Sequence, residues 1–246
     1  EILTIVREPA RLTVDGLSFG IGPGAIAGSA AVGARRIDIR LSARDIPLDL
    51  VGAFTATRSI AGRFAAELDM SGTADDPRGQ LAVHVRDLRL EDSHTPTPPL
   101  SVDVESILQN SRVDANGTIG GPDGTTVALA ASLPLRLEPA TLTAHVPRDA
   151  PIRVSLRGNG QLESWSDVLP LGEDRIAGRF DLDVAIAGTL AHPTANGQLA
   201  VRDGRYVNFV SGTELHTIDL ALTGDGQRFV LQRLAATDGA QGQLAA

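Results

Sequence analysis

The sequence contains no cysteine and no lysine, and only 3% of its 246 residues are aromatic. Without cysteine, the chain can form neither disulfides nor thiolate sites. All 22 basic residues are arginines, they form no basic run, and 30 acidic residues leave a net charge of −8. This balance argues against binding nucleic acid or an anionic membrane surface through phosphate neutralisation. The few aromatic rings also offer little to stack against bases or sugars.

Residue patterns typical of catalytic and metal sites are missing as well. The glycines of residues 20–28 depart from the phosphate-loop pattern, which also needs a lysine, and no Gly-x-Ser-x-Gly motif occurs. No histidine has a partner at the spacing of metal ligands. The five histidines are His84, His94, His145, His192 and His216. We therefore expect no catalytic residue, no metal site and no cofactor, and we do not predict an enzyme.

The sequence has no apolar run of about 18 residues, the length expected of a membrane-spanning helix. It starts at Glu1 rather than at a methionine, and residues 243–246 read as the middle of a strand. We therefore expect this chain to be part of a longer protein, with any membrane anchor or signal outside it.

The sequence does contain a strict alternation of apolar side chains with polar or small ones. In residues 180–187, large apolar side chains alternate with polar or small ones, which is typical of a half-buried strand. Gly188-Thr189 ends this strand, His192-Pro193 turns the chain, and residues 197–201 begin an antiparallel return. The segment is predicted to be a hairpin with one apolar side.

The same unit occurs earlier in the chain. Residues 60–64 and 176–180 share the sequence Ile-Ala-Gly-Arg-Phe, and the same offset of 116 relates Gly72 to Gly188. The segment Gly-Gln-Leu-Ala-Val also recurs, with two residues added before its second copy. An internal repeat of this kind predicts an array of one supersecondary unit.

The remaining sequence also reads as strands, because no apolar spacing of three and four persists long enough for a real helix. Asp15-Gly16 predicts a tight turn between two strands. A slip in the alternation at Arg86-Asp87 predicts a β-bulge. Before the second unit, Ser164 is expected to cap a single helical turn.

Three parts are predicted along the chain. Residues 1–99 form a first β-repeat module, residues 100–149 contain diverged or inserted strands, and residues 150–246 form a second β-repeat module. We expect the second module to continue the first in one elongated sheet.

The alternating apolar side chains of both units are predicted to share one face, and this face is the candidate binding site. Its residues are Phe64, Leu68, Met70, Leu81, Val83, Phe180, Leu182, Val184, Ile186, Leu199, Val201, Ile218, Leu220 and Leu222. Periodicity alone leaves two arrangements open. The face is either the dry inner wall of a closed sandwich or an open trough, in which each buried methylene would gain about 0.8 kcal/mol.

Five short, glycine-rich motifs mark the second unit. They are residues 176–180 (Ile-Ala-Gly-Arg-Phe), 187–189 (Ala-Gly-Thr), 197–201 (Gly-Gln-Leu-Ala-Val), 203–207 (Asp-Gly-Arg-Tyr-Val) and 212–215 (Gly-Thr-Glu-Leu). This pattern resembles the C-terminal half of the TamB family, the inner-membrane subunits of the translocation and assembly module. The resemblance covers residues 150–246 well and residues 41–90 more loosely.

The resemblance implies a protein anchored in the inner membrane by an N-terminal helix outside this chain. Such proteins cross the periplasm and meet a TamA-like Omp85 barrel at the outer membrane. Their sheets curl into an open, taco-like groove with a hydrophobic interior, as in AsmA-like and bridge-type lipid-transfer proteins. Residues 100–146 match the unit poorly, and the region that docks on the barrel is expected to be missing beyond Ala246.

We therefore expect an all-β fold, an elongated curled sheet with an open groove built from repeated amphipathic hairpins. The resemblance implies that the groove holds or conducts phospholipid acyl chains between the two membranes and supports assembly of outer-membrane β-barrel proteins. Its cargo would be phospholipid or unfolded outer-membrane strands. The alternative is a structural or adhesive β-solenoid with a closed core and no cargo. Both the closed sandwich and the β-solenoid predict a dry core.

Overall fold

A computed structural model confirms the all-β fold class. It describes residues 4–8, 11–33, 36–52, 59–73, 75–91, 99–121, 124–138, 143–166, 171, 174–226 and 228–246. Most of these residues lie in strands, because alternating apolar residues and β-branched side chains favour a pleated, half-buried surface. Within the described ranges, two short helices interrupt the strands.

The strands have the following bounds. The first nine are β1 (Thr4–Glu8), β2 (Arg11–Ile21), β3 (Gly24–Gly33), β4 (Arg36–Pro47), β5 (Ser59–Gly72), β6 (Pro77–Glu91), β7 (Leu100–Gln109), β8 (Arg112–Gly120) and β9 (Thr126–Pro134). The remaining strands are β10 (Arg136–Glu138), β11 (Thr143–His145), β12 (Pro151–Gln161), β13 (Asp174–Thr189), β14 (Pro193–Asn208), β15 (Thr213–Asp225), β16 (Arg228–Thr237) and β17 (Gln243–Ala245). The helices are α1 (Leu48–Gly52) and α2 (Glu163–Ser166).

Fifteen strands form one antiparallel sheet in which neighbours follow the order of the chain. Only β10 and β11 stand outside this order, as a separate two-stranded hairpin between β9 and β12. β1 pairs with β2 alone and β17 with β16 alone, so the sheet is open and does not close into a barrel.

The sheet has two borders, which we name by what lies there. The turn border carries the hairpin turns of β5–β6, β7–β8 and β13–β14. The helix border carries α1, between β4 and β5, and α2, between β12 and β13. Most shifts of the pairing register lie towards the helix border, in β4, β5, β6, β13, β14 and β15. Two other shifts lie further from it, between Val14 and Leu17 in β2 and between Ala221 and Leu222 in β15.

The β5–β6 and β13–β14 hairpins have the same register. Gly72 pairs with Pro77 and Phe64 with Val85, and the residues 116 positions later form the same two pairs. The two residues added before the second Gly-Gln-Leu-Ala-Val segment do not change this register. They place the segment two positions further along the second strand, and an even shift leaves each side chain on its former face.

The bulge predicted at Arg86-Asp87 is confirmed, because the β6–β7 register shifts between Val85 and Leu88. The turn predicted at Asp15-Gly16 is wrong. β2 runs through this dipeptide, its register against β3 shifts between Val14 and Leu17, and Gly16 has a φ of 68°. A bulge and a tight hairpin turn both use a residue with positive φ, so the dipeptide predicts either one.

Helix α2 begins at Glu163, so Ser164 is the second residue of the helical turn and not the residue before it. The carboxylate of Glu163 accepts a hydrogen bond from the backbone N–H of Gly178 at 3.2 Å. The ring of Trp165 lies against Gly121, where an added Cβ would stand 3.3 Å from Cζ2. These contacts fix α2 at the helix border.

Candidate functional site

One face of the sheet is apolar from β2 to β16, and we refer to it as the apolar face. Pairing across neighbouring strands places apolar residues of successive strands side by side on this face. In the first half Leu41 pairs with Leu68, and Leu68 pairs with Leu81. In the second half Leu182 pairs with Leu199, which pairs with Leu222 on the next strand.

All fourteen predicted site residues lie on this face. Cross-strand partners share a face, and the pairs of β5–β6, β13–β14 and β14–β15 bring these residues together. They are Phe64, Leu68, Met70, Leu81, Val83, Phe180, Leu182, Val184, Ile186, Leu199, Val201, Ile218, Leu220 and Leu222. Phe180 is buried, Leu81 is exposed, and the other twelve are half-buried.

The strands between the two repeats continue the apolar face, which the sequence did not reveal. Val83 pairs with Val104, and from there the ladder passes through Gly117 and Leu129 to Leu156. Leu156 in turn pairs with Val184 in the second repeat. Residues 100–134 therefore join the two halves of the face instead of interrupting it.

The most deeply buried side chains of the apolar face lie near the two borders of the sheet. Ile37, Leu108 and Ile152 are buried near the turn border, and Ile46 and Leu100 are buried near the helix border. Side chains in the middle of the strands are only half-buried. The described strands contact chiefly their hydrogen-bonded neighbours and the short helices, so no second layer packs extensively on the sheet.

The accessible surface of the chain agrees with a single layer. It amounts to 15378 Å², whereas a compact monomer of this mass would expose about 10,400 Å². A closed sandwich would bury one face of each sheet against the other. The arrangement observed is an open sheet.

The apolar face is longer than it is wide. From Phe180 to Ile186 it measures about 20 Å along the strand, at roughly 3.3 Å per residue. Across the thirteen sheet strands from β2 to β16, at about 4.8 Å between neighbours, it extends for roughly 55–60 Å measured along the sheet. It is therefore a strip that runs across the strands.

The opposite, polar face carries cross-strand ion pairs. Arg157 and Asp183 approach to 3.1 Å between β12 and β13, and Asp219 and Arg233 to 2.9 Å between β15 and β16. Each pair is largely exposed to solvent, so it contributes little to stability. These charges keep the polar face hydrated.

Asp103 is the most strongly perturbed group on the polar face. Its carboxylate accepts hydrogen bonds from Arg86 at 2.8 Å and from the ring nitrogen of His84 at 2.7 Å. The hydrogen bond from the Arg86 guanidinium is the largest cause that lowers the pKa of Asp103 to about 2, and the bond from His84 adds to it. The group is a structural anion between β6 and β7.

Two shallow depressions are lined mainly by residues of the polar face. The larger, of about 520 Å³, is bordered by Asp114, Asn116, Ser132 and Arg153 around small alanines. The smaller, of about 390 Å³, lies between β3 and β6. Both occur where alanine or serine stands between longer side chains, so they are gaps in the polar surface.

The described part of the chain contains no group of three histidine or acidic side chains that could hold a metal ion. His94 lies outside the described residues. Among the described residues, no helix is long and apolar enough to cross a membrane.

Comparison of the chain with protein-family models, with curated proteins and with solved structures finds no match. The function can therefore be inferred only from the apolar face and from the motifs that resemble the TamB family.

Proposed function

We propose that the apolar face holds phospholipid acyl chains, in a periplasm-spanning, TamB-like protein that conducts lipid between the inner and outer membranes. The observation that carries this proposal is an apolar strip, half-exposed along its middle, that runs across the strands of an open sheet. Soluble proteins rarely leave an apolar surface of this size without something to cover it. A ligand that covers it must itself be long and apolar.

The energetics favour a chain-like ligand. Each methylene that leaves water for the strip gains about 0.8 kcal/mol, and apolar side chains of this kind do not select a particular headgroup. Neighbouring strands offer equivalent apolar surfaces, so a bound chain can move between them without a large difference in free energy. Transport along the strip would be passive, with the direction of net flux set elsewhere.

Curling of the sheet into a groove belongs to this proposal. Open sheets of more than about ten strands rarely stay uncurled, and glycine positions allow sharp curvature. Several strands place glycine on the apolar face, where the missing side chain deepens the strip. These glycines include Gly28, Gly79, Gly117, Gly158 and Gly197.

The roles of partner proteins rest on the resemblance of the motifs alone. In this proposal a TamA-like Omp85 barrel receives the outer-membrane end of the protein, and the strip also supports assembly of β-barrel proteins. Unfolded outer-membrane strands are the second class of cargo. An inner-membrane anchor would be supplied by a segment outside this chain.

Leu182→Asp tests the proposal directly. The substitution places a charge on the half-buried middle of the strip, so we expect co-purifying phospholipid to be lost while the sheet stays folded. Native mass spectrometry and lipid extraction of the detergent-free protein measure the cargo, and circular dichroism measures the fold. Val184→Arg, on the same strand and face, should act in the same way.

Ala185→Asp is the matched control. Ala185 lies on the same strand, but it is exposed on the polar face between Asp183 and Ala187. This variant should keep its lipid. If the parent protein carries no lipid and Leu182→Asp unfolds, the face is a closed core and the structural β-solenoid replaces our proposal. Bound peptide in place of lipid would instead favour unfolded outer-membrane strands as the cargo.

A further inference from the structure

The apolar face of β13 ends at the helix border in a polar cluster. Residues two apart on a strand share a face, so Phe180 and Ile176 place Asp174 on the apolar face as well. Tyr206 pairs with Ile176, and Asn208 pairs with Asp174, so these two side chains lie on the same face. We refer to Asp174, Tyr206 and Asn208 as the border cluster.

Hydrogen bonds join the border cluster around one carboxylate oxygen. The hydroxyl of Tyr206 donates to Oδ1 of Asp174 at 3.0 Å, and the side-chain amide of Asn208 donates to the same oxygen. Within the described residues, Oδ2 of Asp174 accepts no hydrogen bond. The guanidinium of Arg175 donates to the backbone carbonyl of Asp174 at 3.0 Å. Both donors to the half-buried carboxylate are therefore neutral groups, and one of its oxygens can accept from a ligand.

The other two members of the cluster are already occupied. The side-chain oxygen of Asn208 accepts from the backbone N–H of Ser211 at 2.6 Å and from its hydroxyl at 2.8 Å. The hydrogen bond to Asp174 raises the pKa of Tyr206, so the phenol stays protonated and donates at neutral pH. These bonds hold Asp174 in place before a ligand arrives, which lowers the entropy cost of binding.

The hairpin itself does not require this cluster. At the same register, the first repeat pairs Ile60 with Leu90, where the second repeat pairs Ile176 with Tyr206. Tyr206 is the only tyrosine of the chain. Since the same hairpin forms with leucine at this position, strand pairing does not explain a polar cluster on the apolar face.

Apolar surface of sufficient length adjoins the border cluster. From Ile176 to Ile186, β13 measures about 33 Å at roughly 3.3 Å per residue. One acyl chain spans about 15 Å, which is half of the hydrocarbon core of a bilayer. A lipid headgroup at Asp174 therefore leaves its acyl chains on the strip.

A primary ammonium group is the donor that matches this carboxylate. It carries a positive charge and three N–H donors, so it can bond to Oδ2 while Tyr206 and Asn208 stay on Oδ1. Hydrogen bonds between two charged groups are roughly twice as strong as those between neutral groups. A headgroup with a net negative charge would be repelled by the same carboxylate.

We propose that the border cluster binds the primary ammonium group of an aminophospholipid such as phosphatidylethanolamine, with Asp174 as the acceptor and the acyl chains on the strip. This inference rests on the proposed function, because it names the class of lipid that the apolar face takes. Tyr206 and Asn208 are positioning residues that hold the carboxylate.

Competition between two lipids tests the site. The full chain is incubated with vesicles of equimolar phosphatidylethanolamine and phosphatidylglycerol that have the same acyl chains, and mass spectrometry measures the lipids on the reisolated protein. We expect the parent chain to enrich phosphatidylethanolamine about three- to fivefold, the range of a partly exposed ion pair. Asp174→Asn should bind as much total lipid, but in the ratio of the vesicles. Asp174→Lys should reverse the preference, because its cation attracts phosphatidylglycerol.

Asp181→Asn is the matched control. Asp181 lies on the same strand, but it is exposed on the polar face opposite Ala200. This variant should keep the enrichment. Tyr206→Phe removes only a hydroxyl and provides a second variant should Asp174→Asn fail to fold by circular dichroism. It should lower the enrichment without lowering total lipid.

The outcomes separate this proposal from the proposed function. A parent chain that binds both lipids in the ratio of the vesicles overturns the headgroup site alone, whereas a parent chain that takes up no lipid overturns both. Enrichment that persists in Asp174→Asn and Asp174→Lys also overturns the site. Glycerophosphoethanolamine has the same headgroup without acyl chains and should not bind at the same concentration. Its binding would indicate a site for free amines and would overturn the assignment to lipid.

Discussion

Asp103 illustrates how the polar face contributes at the scale of single residues. Arg86 and His84 hold its pKa at about 2 in the folded chain, against about 3.9 for an unfolded aspartate. A lowered pKa means that this group stabilises the fold above about pH 4. That contribution is lost as the pH falls through about 2, because the folded state must then take up the proton.

Asp103→Asn should therefore lower the free energy of unfolding at pH 7 by less than about 1 kcal/mol, since the carboxylate is about one-third exposed and screened by solvent. The difference between the variant and the parent should shrink from pH 4 to pH 2. Urea unfolding at pH 7, 4 and 2, followed by the fluorescence of the single tryptophan, measures it. A difference that grows on acidification would contradict this assignment.

At the scale of the secondary-structure element, the bulge at Gly178 requires a glycine. Gly178 has a φ of 121° and faces Gly204, whose Cα would stand only 2.7 Å from an added Cβ. Gly62 occupies the same place in the first repeat, with a φ of 139°. In both bulges an aspartate with positive φ stands on the next strand, Asp87 or Asp203.

Gly178→Ala should lower the free energy of unfolding by about 1–3 kcal/mol, because the side chain collides with the next strand in an unfavourable backbone region. Gly212→Ala is the control. Gly212 also has positive φ, 70°, but no atom lies within 4 Å of its added Cβ, so it should cost only about 1 kcal/mol. Urea denaturation of the two variants compares them. If both variants lose the same free energy of unfolding, the positive φ alone explains the cost of Gly178→Ala, without a collision with the next strand.

The elements also show what the sequence could predict. Alternation in residues 180–187 identified a strand and its apolar side, because a sheet with one solvated face has a sequence period of two. All fourteen residues predicted from this rule share one face. The strands of residues 100–134 were not assigned to that face, since Ser106, Ala115 and Gly117 interrupt its apolar pattern.

Other features could not be read from the sequence for physical reasons. An apolar side chain alternates in the same way on the inner wall of a sandwich and on an open sheet, so the pattern did not choose between them. Asp15-Gly16 supplies positive φ equally well to a turn or to a bulge. In each hairpin the turn determines which residues pair. The two copies of the Gly-Gln-Leu-Ala-Val segment therefore pair with residues at different positions of the preceding strand.

At the scale of the whole molecule, stability should be local. Each strand contacts chiefly the strands beside it, so the sheet resembles a linear array in which units interact only with their neighbours. Gly178→Ala should therefore speed amide hydrogen exchange in β12–β15 and leave β3–β5 unchanged. Hydrogen exchange with mass spectrometry resolves these segments. Faster exchange throughout the chain would mean that the sheet unfolds as one cooperative unit.

The order of the strands has a consequence for how the sheet is built. Each strand of the main sheet pairs with the strand made just before it, except where the β10–β11 hairpin separates β9 from β12. Pairing of strands that follow each other in the sequence closes only short loops. Short loops cost little chain entropy and favour rapid pairing. A chain that is synthesised from the N-terminus can therefore lengthen the sheet one strand at a time, because the partner of each new strand is already in place.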